Sequence, residues 1–177
     1  MNTKFQTLNE LGAGDFEHLN GSLTSHLEGT YSLLKKWGAS ESVCDAGLFH
    51  AAYGTAGFDE TMVSLDRRSE ISDLLGIEVE ELVYLYCACD RDFTYENLVS
   101  GSAIYKNRFT GSIVKLNEDQ ARNLAEMTVA NELELVITGE EFREKYGKEL
   151  YQLFEGLIPY ISNNAKMAFQ SAMPEFA

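Results

Sequence analysis

The stretch from Leu19 to Gly38, LNGSLTSHLEGTYSLLKKWG, decides the fold. Leu19, Leu23, Leu27, Thr30, Leu34 and Trp37 recur at three- and four-residue steps, the spacing that places apolar side chains on one face of an α-helix. Gly38 stands where a left-handed residue ends a helix. His26, three after Leu23 and four before Thr30, shares the apolar face. A second, shorter helix carries Val43, Ala46, Gly47 and His50 on one side and ends in the turn-like Tyr53-Gly54-Thr55. Two histidines on the buried faces of consecutive helices can meet across the pair.

Outward from this pair the pattern stays helical. One segment runs from about Ser69 to Leu75 and breaks at Gly76, and the next carries Val79, Leu82, Val83, Tyr86 and Asp90 on one stripe. The β-prone segments Ala103-Ile104-Tyr105 and Ser112-Ile113-Val114 predict a lone hairpin within 102–115. Asn117 with Gln120, and Thr138 with Glu141, have capping-box spacing and announce helices over about 118–136 and 139–153. After a break near Pro159 a last helix covers Tyr160–Ser171. Residues 1–14 look like a loose lead-in. The expected fold is mostly α, a single domain over 1–177 of about five to seven helices with one small β-hairpin insertion.

Composition bounds the function. The chain has 177 residues, 14 Lys+Arg against 28 Asp+Glu and a formal net charge of −14, with a pI near 4.5. Such a surface repels a phosphate backbone, so nucleic acid and anionic membrane are disfavoured as partners. No apolar run approaches the roughly 20 residues that span a bilayer, and no h-region precedes a cleavage site, which points to a cytoplasmic protein. Cys44, Cys87 and Cys89 leave one thiol over under any pairing and read as buried core thiols in a reducing compartment. A folded chain of this length buries roughly 70% of the surface of its unfolded form and needs no disulfide or metal staple.

The three histidines, His18, His26 and His50, all lie within the first third of the chain. His26 and His50 face each other from two helices, and Asp90 continues the Val79–Tyr86 stripe by one more turn. Imidazole nitrogens and a carboxylate converging from separate helices are what a divalent Zn, Fe or Mn needs. The competing reading makes each histidine a core residue donating to a backbone carbonyl. Tyr53 and Thr55 are placed to line the same cavity. Arg91 beside Asp90, and Arg67 beside Arg68, are guanidinium candidates for gripping an anionic substrate. Asn131 falls on the apolar side of its helix with Leu124, Met127 and Leu135 and is a second cavity-lining candidate. Glu132 and Glu134 are expected to face water, and Asp59-Glu60 to be loop acids. The aromatic residues of the last helices, Tyr146, Tyr151, Phe154, Tyr160 and Phe169, suit either the core or a homodimer surface.

The stretch His26-Leu27…Leu33-Leu34…Trp37-Gly38, followed by Val43…Ala46-Gly47-Leu48-Phe49-His50, resembles the opening of the HD-domain superfamily of metal-dependent hydrolases. There a helix bearing one metal-binding His precedes a helix ending in A-x-L-[LF]-H-D. More closely, His18-x7-His26-Leu-x-Gly-Thr and Ala-Gly-Leu-Phe-His50-x2-Tyr-Gly-Thr resemble an uncharacterised bacterial branch of HD-like proteins. The resemblance covers roughly 18–92. It implies a site with His26, His50 and Asp90 as ligands to one divalent metal, Fe, Mn or Zn, and His18 or Asp59 as a fourth ligand. Around such a centre His18, Tyr53 and Arg91 are the catalytic candidates, His18 for proton transfer, and the residues' own placement makes Thr55, Asn131 and Arg67 the substrate-binding candidates. Ala51 stands where the superfamily's signature has an Asp, which puts the usual two-metal centre in doubt. The functions that follow as expectations are hydrolysis of a phosphorylated or otherwise anionic metabolite, or oxygenase chemistry at iron. The rival is a metal-free ligand-binding or interaction protein with a degenerate HD site.

Overall fold

A computed structural model describes residues 3–10, 17–18, 21–58 and 60–177. The chain runs through α1 (Thr3–Glu10), β1 (Glu17–His18), β2 (Gly21–Ser22), α2 (Leu23–Trp37), α3 (Glu41–Leu48), α4 (Arg68–Leu75), α5 (Ile77–Cys87) and α6 (Arg91–Val99). It continues through β3 (Ile104–Lys106), β4 (Ile113–Lys115), α7 (Glu118–Thr138), α8 (Glu140–Leu157) and α9 (Asn163–Ala172). The fold is mostly α with the expected hairpin, in which Tyr105 pairs with Val114. A second short antiparallel pair joins β1 to β2 and places His18 on a strand. Among the described residues no helix is long and apolar enough to cross a membrane.

Local chemistry explains most of the boundaries. Ser22 accepts from the Ser25 amide to start α2, and Gly38 ends it at φ 82°, a conformation that costs a side chain with a Cβ. Asn117 and Gln120 form the complete capping box at the start of α7. The same motif does not form at Thr138 and Glu141. α8 begins at Gly139 without a side-chain cap, because the Thr138 hydroxyl donates to the Glu134 carbonyl inside the preceding helix. Residues 3–10, read as lead-in, are helical, and the Lys4 ammonium bridges to the buried Asp45 carboxylate of α3 at 2.5 Å.

α7 is the axis of the fold. It packs against α2, α3, α5, α8 and α9, and every residue from Leu124 to Val136 is buried. A helix surrounded in this way has no solvent face, so its polar residues need protein partners. Glu126 accepts from the Ser162 amide and hydroxyl at the start of α9. The remaining polar groups of α7 turn toward α2 and α6 and build the site. α2 lies close enough to α3 that a Cβ on Gly47 would meet Leu34 Cδ1 at 2.3 Å. That contact draws the ends of the two helices together and brings His50 to His26.

Candidate functional site

His26, 4% exposed, points from α2 at α7. Its Nδ1 meets the Glu134 carboxylate in a very short contact, and its Nε2 lies 2.9 Å from Asn131 Oδ1. Asn131 Nδ2 donates to Glu132 Oε1 at 2.8 Å, and Glu132 Oε1 also accepts from Arg91 Nη1 at 2.9 Å. These roles are ordered: the Glu132 carboxylate accepts, so the Asn131 amide must turn its nitrogen to it and its oxygen to His26. The His26 Nε2 therefore carries a hydrogen, and one further proton lies between Nδ1 and Glu134. The result is a continuous buried chain, Glu134, His26, Asn131, Glu132, Arg91, in which two ion pairs flank an amide.

His50 follows α3 and is 3% exposed. Its Nδ1 donates to the Gly47 carbonyl at 2.7 Å, a backbone acceptor that leaves the ring lone pair on Nε2. Its ring stands edge-on to His26, with centroids 5.1 Å apart, and edge-on to Tyr86 at 5.3 Å. The two histidines thus meet across α2 and α3 as their spacing predicted.

A cavity of about 510 Å³ opens beside this chain, within the usual range of small-molecule sites. Its buried end holds the polar groups of His26, His50, Thr55, Asn131, Glu132 and Tyr95 beside the apolar Leu23, Ala51 and Leu135. Arg91 lies along the same wall, its Nη1 3.5 Å from where a Cβ of Gly57 would stand, and its buried Nε–H has no hydrogen-bond partner among the described residues. The outer wall is one face of α8, where Phe142, Tyr146, Leu150 and Leu153 recur at helical steps. Asp92 and Glu149, both exposed, stand at that outer part.

Of the residues singled out in the sequence, His26, His50, Thr55, Arg91 and Asn131 meet at this cavity. Asp90 does not join them. α5 ends at Cys87, so the stripe from Val79 stops short, and Asp90 instead caps α6 through the Phe93 amide and bonds Lys106 Nζ at 2.7 Å. The Lys106 ammonium holds its carboxyl below the ordinary carboxylate range. Tyr53 is buried elsewhere, donating to Glu80 at 2.8 Å, while Arg68 makes a two-point bond to Glu80 and stacks on Tyr84. Arg67 is an exposed partner of Glu70. The side chain of His18 and the whole of Asp59 lie outside the described residues. The three thiols are buried and unbridged, and burial pushes Cys87 up to about 12 and Cys89 up to about 11.

The donor set does not fit the divalent metal that the HD resemblance implies. Both His26 nitrogens are committed to Asn131 and Glu134, the Asp90 carboxylate is spent on Lys106 and a helix start, and Ala51 supplies no oxygen. Among the described residues no three His, Cys, Asp or Glu side chains stand together as a ligand group.

Glu132 and Glu134, expected in water, are each 8% exposed, because α7 is enclosed on all sides. A further signal was present at Gly29: a Cβ there would stand 2.7 Å from Glu134 Cγ, so the glycine in His26-Leu-Glu-Gly29-Thr is what admits the His26 partner. The α8 wall carries no motif and was not legible. With this geometry in hand, the family comparison is limited in reach: residues 7–91, a little under half the chain, match the model of a domain of unknown function (DUF6817). That matched stretch includes His26, His50, Thr55 and Arg91 but stops before α7 and α8, which supply Asn131, Glu132, Glu134 and the apolar wall. No curated protein and no solved structure matches the chain.

Proposed function

We propose that this protein binds a small organic molecule, without a metal, in the cavity between α2, α6, α7 and α8. The observation that carries the reading is the cavity itself, about 510 Å³ with a buried polar end and an apolar outer wall. Such a division suits a molecule with a hydrogen-bonding head and an apolar body. The head would meet Arg91, Thr55 and Asn131, and the body would lie along Phe142, Leu150 and Leu153. The charges at the polar end are paired, the condition under which charged groups are kept buried. Within the resemblance to HD-like proteins, the pocket would be retained while the metal chemistry is lost, in keeping with Ala51 and the commitments of His26 and Asp90.

The test is a fragment screen by ligand-observed NMR on the full chain, repeated on Leu150→Trp, which fills the outer part of the cavity from a half-buried position. Fragments that bind the native chain and are lost from the variant are the expected result. A chemically mixed library giving no hits, or hits indifferent to Leu150→Trp, refutes the reading.

One observation favours a second reading, acid–base chemistry on the bound molecule. The Gly47 carbonyl sets the His50 tautomer with its lone pair on Nε2, the form that accepts a proton. Its test is conversion of a bound fragment, followed by mass spectrometry, and loss of that conversion in His50→Gln with binding retained.

A further inference from the structure

The buried end of the cavity carries its charges in pairs. Arg91 Nη1 donates to Glu132 Oε1 at 2.9 Å, and these two side chains are 19% and 11% exposed. His26 and Glu134 hold one proton between them, so that pair is also neutral as a unit. At the outer part the exposed Asp92 and Glu149 are accompanied by the exposed Lys145, whose ammonium stands 4.9 Å from the Tyr146 ring centroid. Solvated charges of this kind select weakly, so selection falls to the buried end. A charged head entering it finds no free counter-charge, and burying an unpaired charge is strongly unfavourable.

Hydrogen bonding at this end is incomplete in a particular way. Glu132 Oε1 takes both bonds that reach the carboxylate, from Arg91 and from Asn131 Nδ2 at 2.8 Å, and Oε2 has no donor among the described residues. Arg91 has given Nη1 to Glu132 and Nη2 to the Tyr86 hydroxyl at 3.3 Å, while its buried Nε–H has no acceptor among the described residues. An N–H lacking an acceptor and an oxygen lacking a donor therefore stand on two groups that bond each other and line the cavity. Their complement is a neutral group with an acceptor and a donor side by side.

Resting on the small-molecule reading above, we propose that the head of the ligand is a carboxamide. Its carbonyl oxygen accepts from the Arg91 guanidinium, its N–H donates to Glu132 Oε2, and its apolar body lies along Leu150 and Leu153. Glu132 sets this specificity: with its carboxylate on Arg91, a ligand carboxylate is repelled at the position where an amide N–H finds an acceptor. An amide thereby takes the place of the anionic metabolite that the HD resemblance implies.

Phenylacetamide, phenylacetate and 2-phenylethylammonium share an apolar body and test the head by calorimetry on the full chain. On the native chain the amide is expected to bind about ten-fold more tightly than either ion. Glu132→Gln keeps an oxygen for Arg91 and Asn131 but turns the open oxygen into an N–H. The edge then offers donors only and the Arg91 charge is no longer neutralised, so the order should reverse, with phenylacetate about ten-fold tighter than phenylacetamide. Phenylacetate or the ammonium matching the amide on the native chain overturns the proposal, and this arm needs no variant. An unchanged order in Glu132→Gln, shown to be folded by circular dichroism, overturns it as well. If none of the three binds while library fragments sensitive to Leu150→Trp still do, the amide class fails and the cavity reading stands. If those fragments are also absent, both fail.

Discussion

Gly29→Ala sets two known effects against each other at the centre of the site. In an ordinary helix interior, alanine in place of glycine stabilises by roughly 1 kcal/mol. Here the new Cβ would stand 2.7 Å from Glu134 Cγ and 2.9 Å from Oε1, closer than Cβ atoms come to their neighbours. Glu134 cannot swing aside cheaply, because its carboxylate is fixed on His26 Nδ1 and its helix is enclosed. Displacing it breaks a hydrogen bond between charged or proton-sharing groups, which costs about 1.5–3 kcal/mol. The loss outweighs the propensity gain by about 0.5–2 kcal/mol, and at about 2–4 °C per kcal/mol for a chain of this size the melting temperature falls by about 1–8 °C. The sign depends on the neighbour, so the decisive assay is a double-mutant cycle in urea with Glu134→Ala. In that background there is no carboxylate to strike, and Gly29→Ala should stabilise. Stabilisation by Gly29→Ala in both backgrounds would refute the account of how Glu134 reaches His26.

Other perturbations follow from the same contacts. Glu132→Ala removes the acceptor shared by Arg91 and Asn131, both largely enclosed, and should cost about 3 kcal/mol, whereas breaking the exposed Arg67–Glu70 pair by Glu70→Ala should cost far less; equal midpoints in urea would contradict the burial of this pair. Asp90→Asn keeps a helix-capping oxygen but loses the charge that Lys106 stabilises. Because the folded carboxyl titrates below its unfolded value, the native chain holds this contribution at neutral pH and loses it as pH falls through the lowered folded value. The variant should therefore show a shallower loss of stability from about pH 5 downward, through and below the ordinary carboxyl value, and an unchanged acid limb would count against the contact. All three thiols are buried, so a thiol reagent at pH 8 should modify none in the folded chain and all three in denaturant. Asn117→Ala should cost about 1 kcal/mol through the lost capping box, read as a shift in thermal midpoint.

Much of the fold was legible locally. The α2 stripe with its Gly38 stop, the capping box at Asn117 and the hairpin at 104–115 depend on residues within a few positions of one another, and such signals survive in one unaligned chain. Where local patterns failed, a distant neighbour had intervened. Thr138 looked like a cap until its hydroxyl found the Glu134 carbonyl, and Asp90 looked like one more turn of α5 until the helix ended three residues earlier. Half of the site was visible in the same way, because His26 sits on the apolar face of α2 and His50 two residues past the end of α3.

The amino-acid sequence alone determined that this chain is mostly helical, acidic, free of disulfide staples and built to bring His26 against His50, since periodicity, caps and charge are properties of neighbours along the chain. Only the tertiary structure decided what those histidines touch. Glu134 lies 108 residues from His26, and Glu132 lies 41 from Arg91. The burial of both acids follows from the helices packed around α7, not from their own spacing. A helix enclosed on every side loses the solvent face that a periodic reading assumes. Its acids then turn inward to pair with His26 and Arg91, leaving those groups in one paired polar chain.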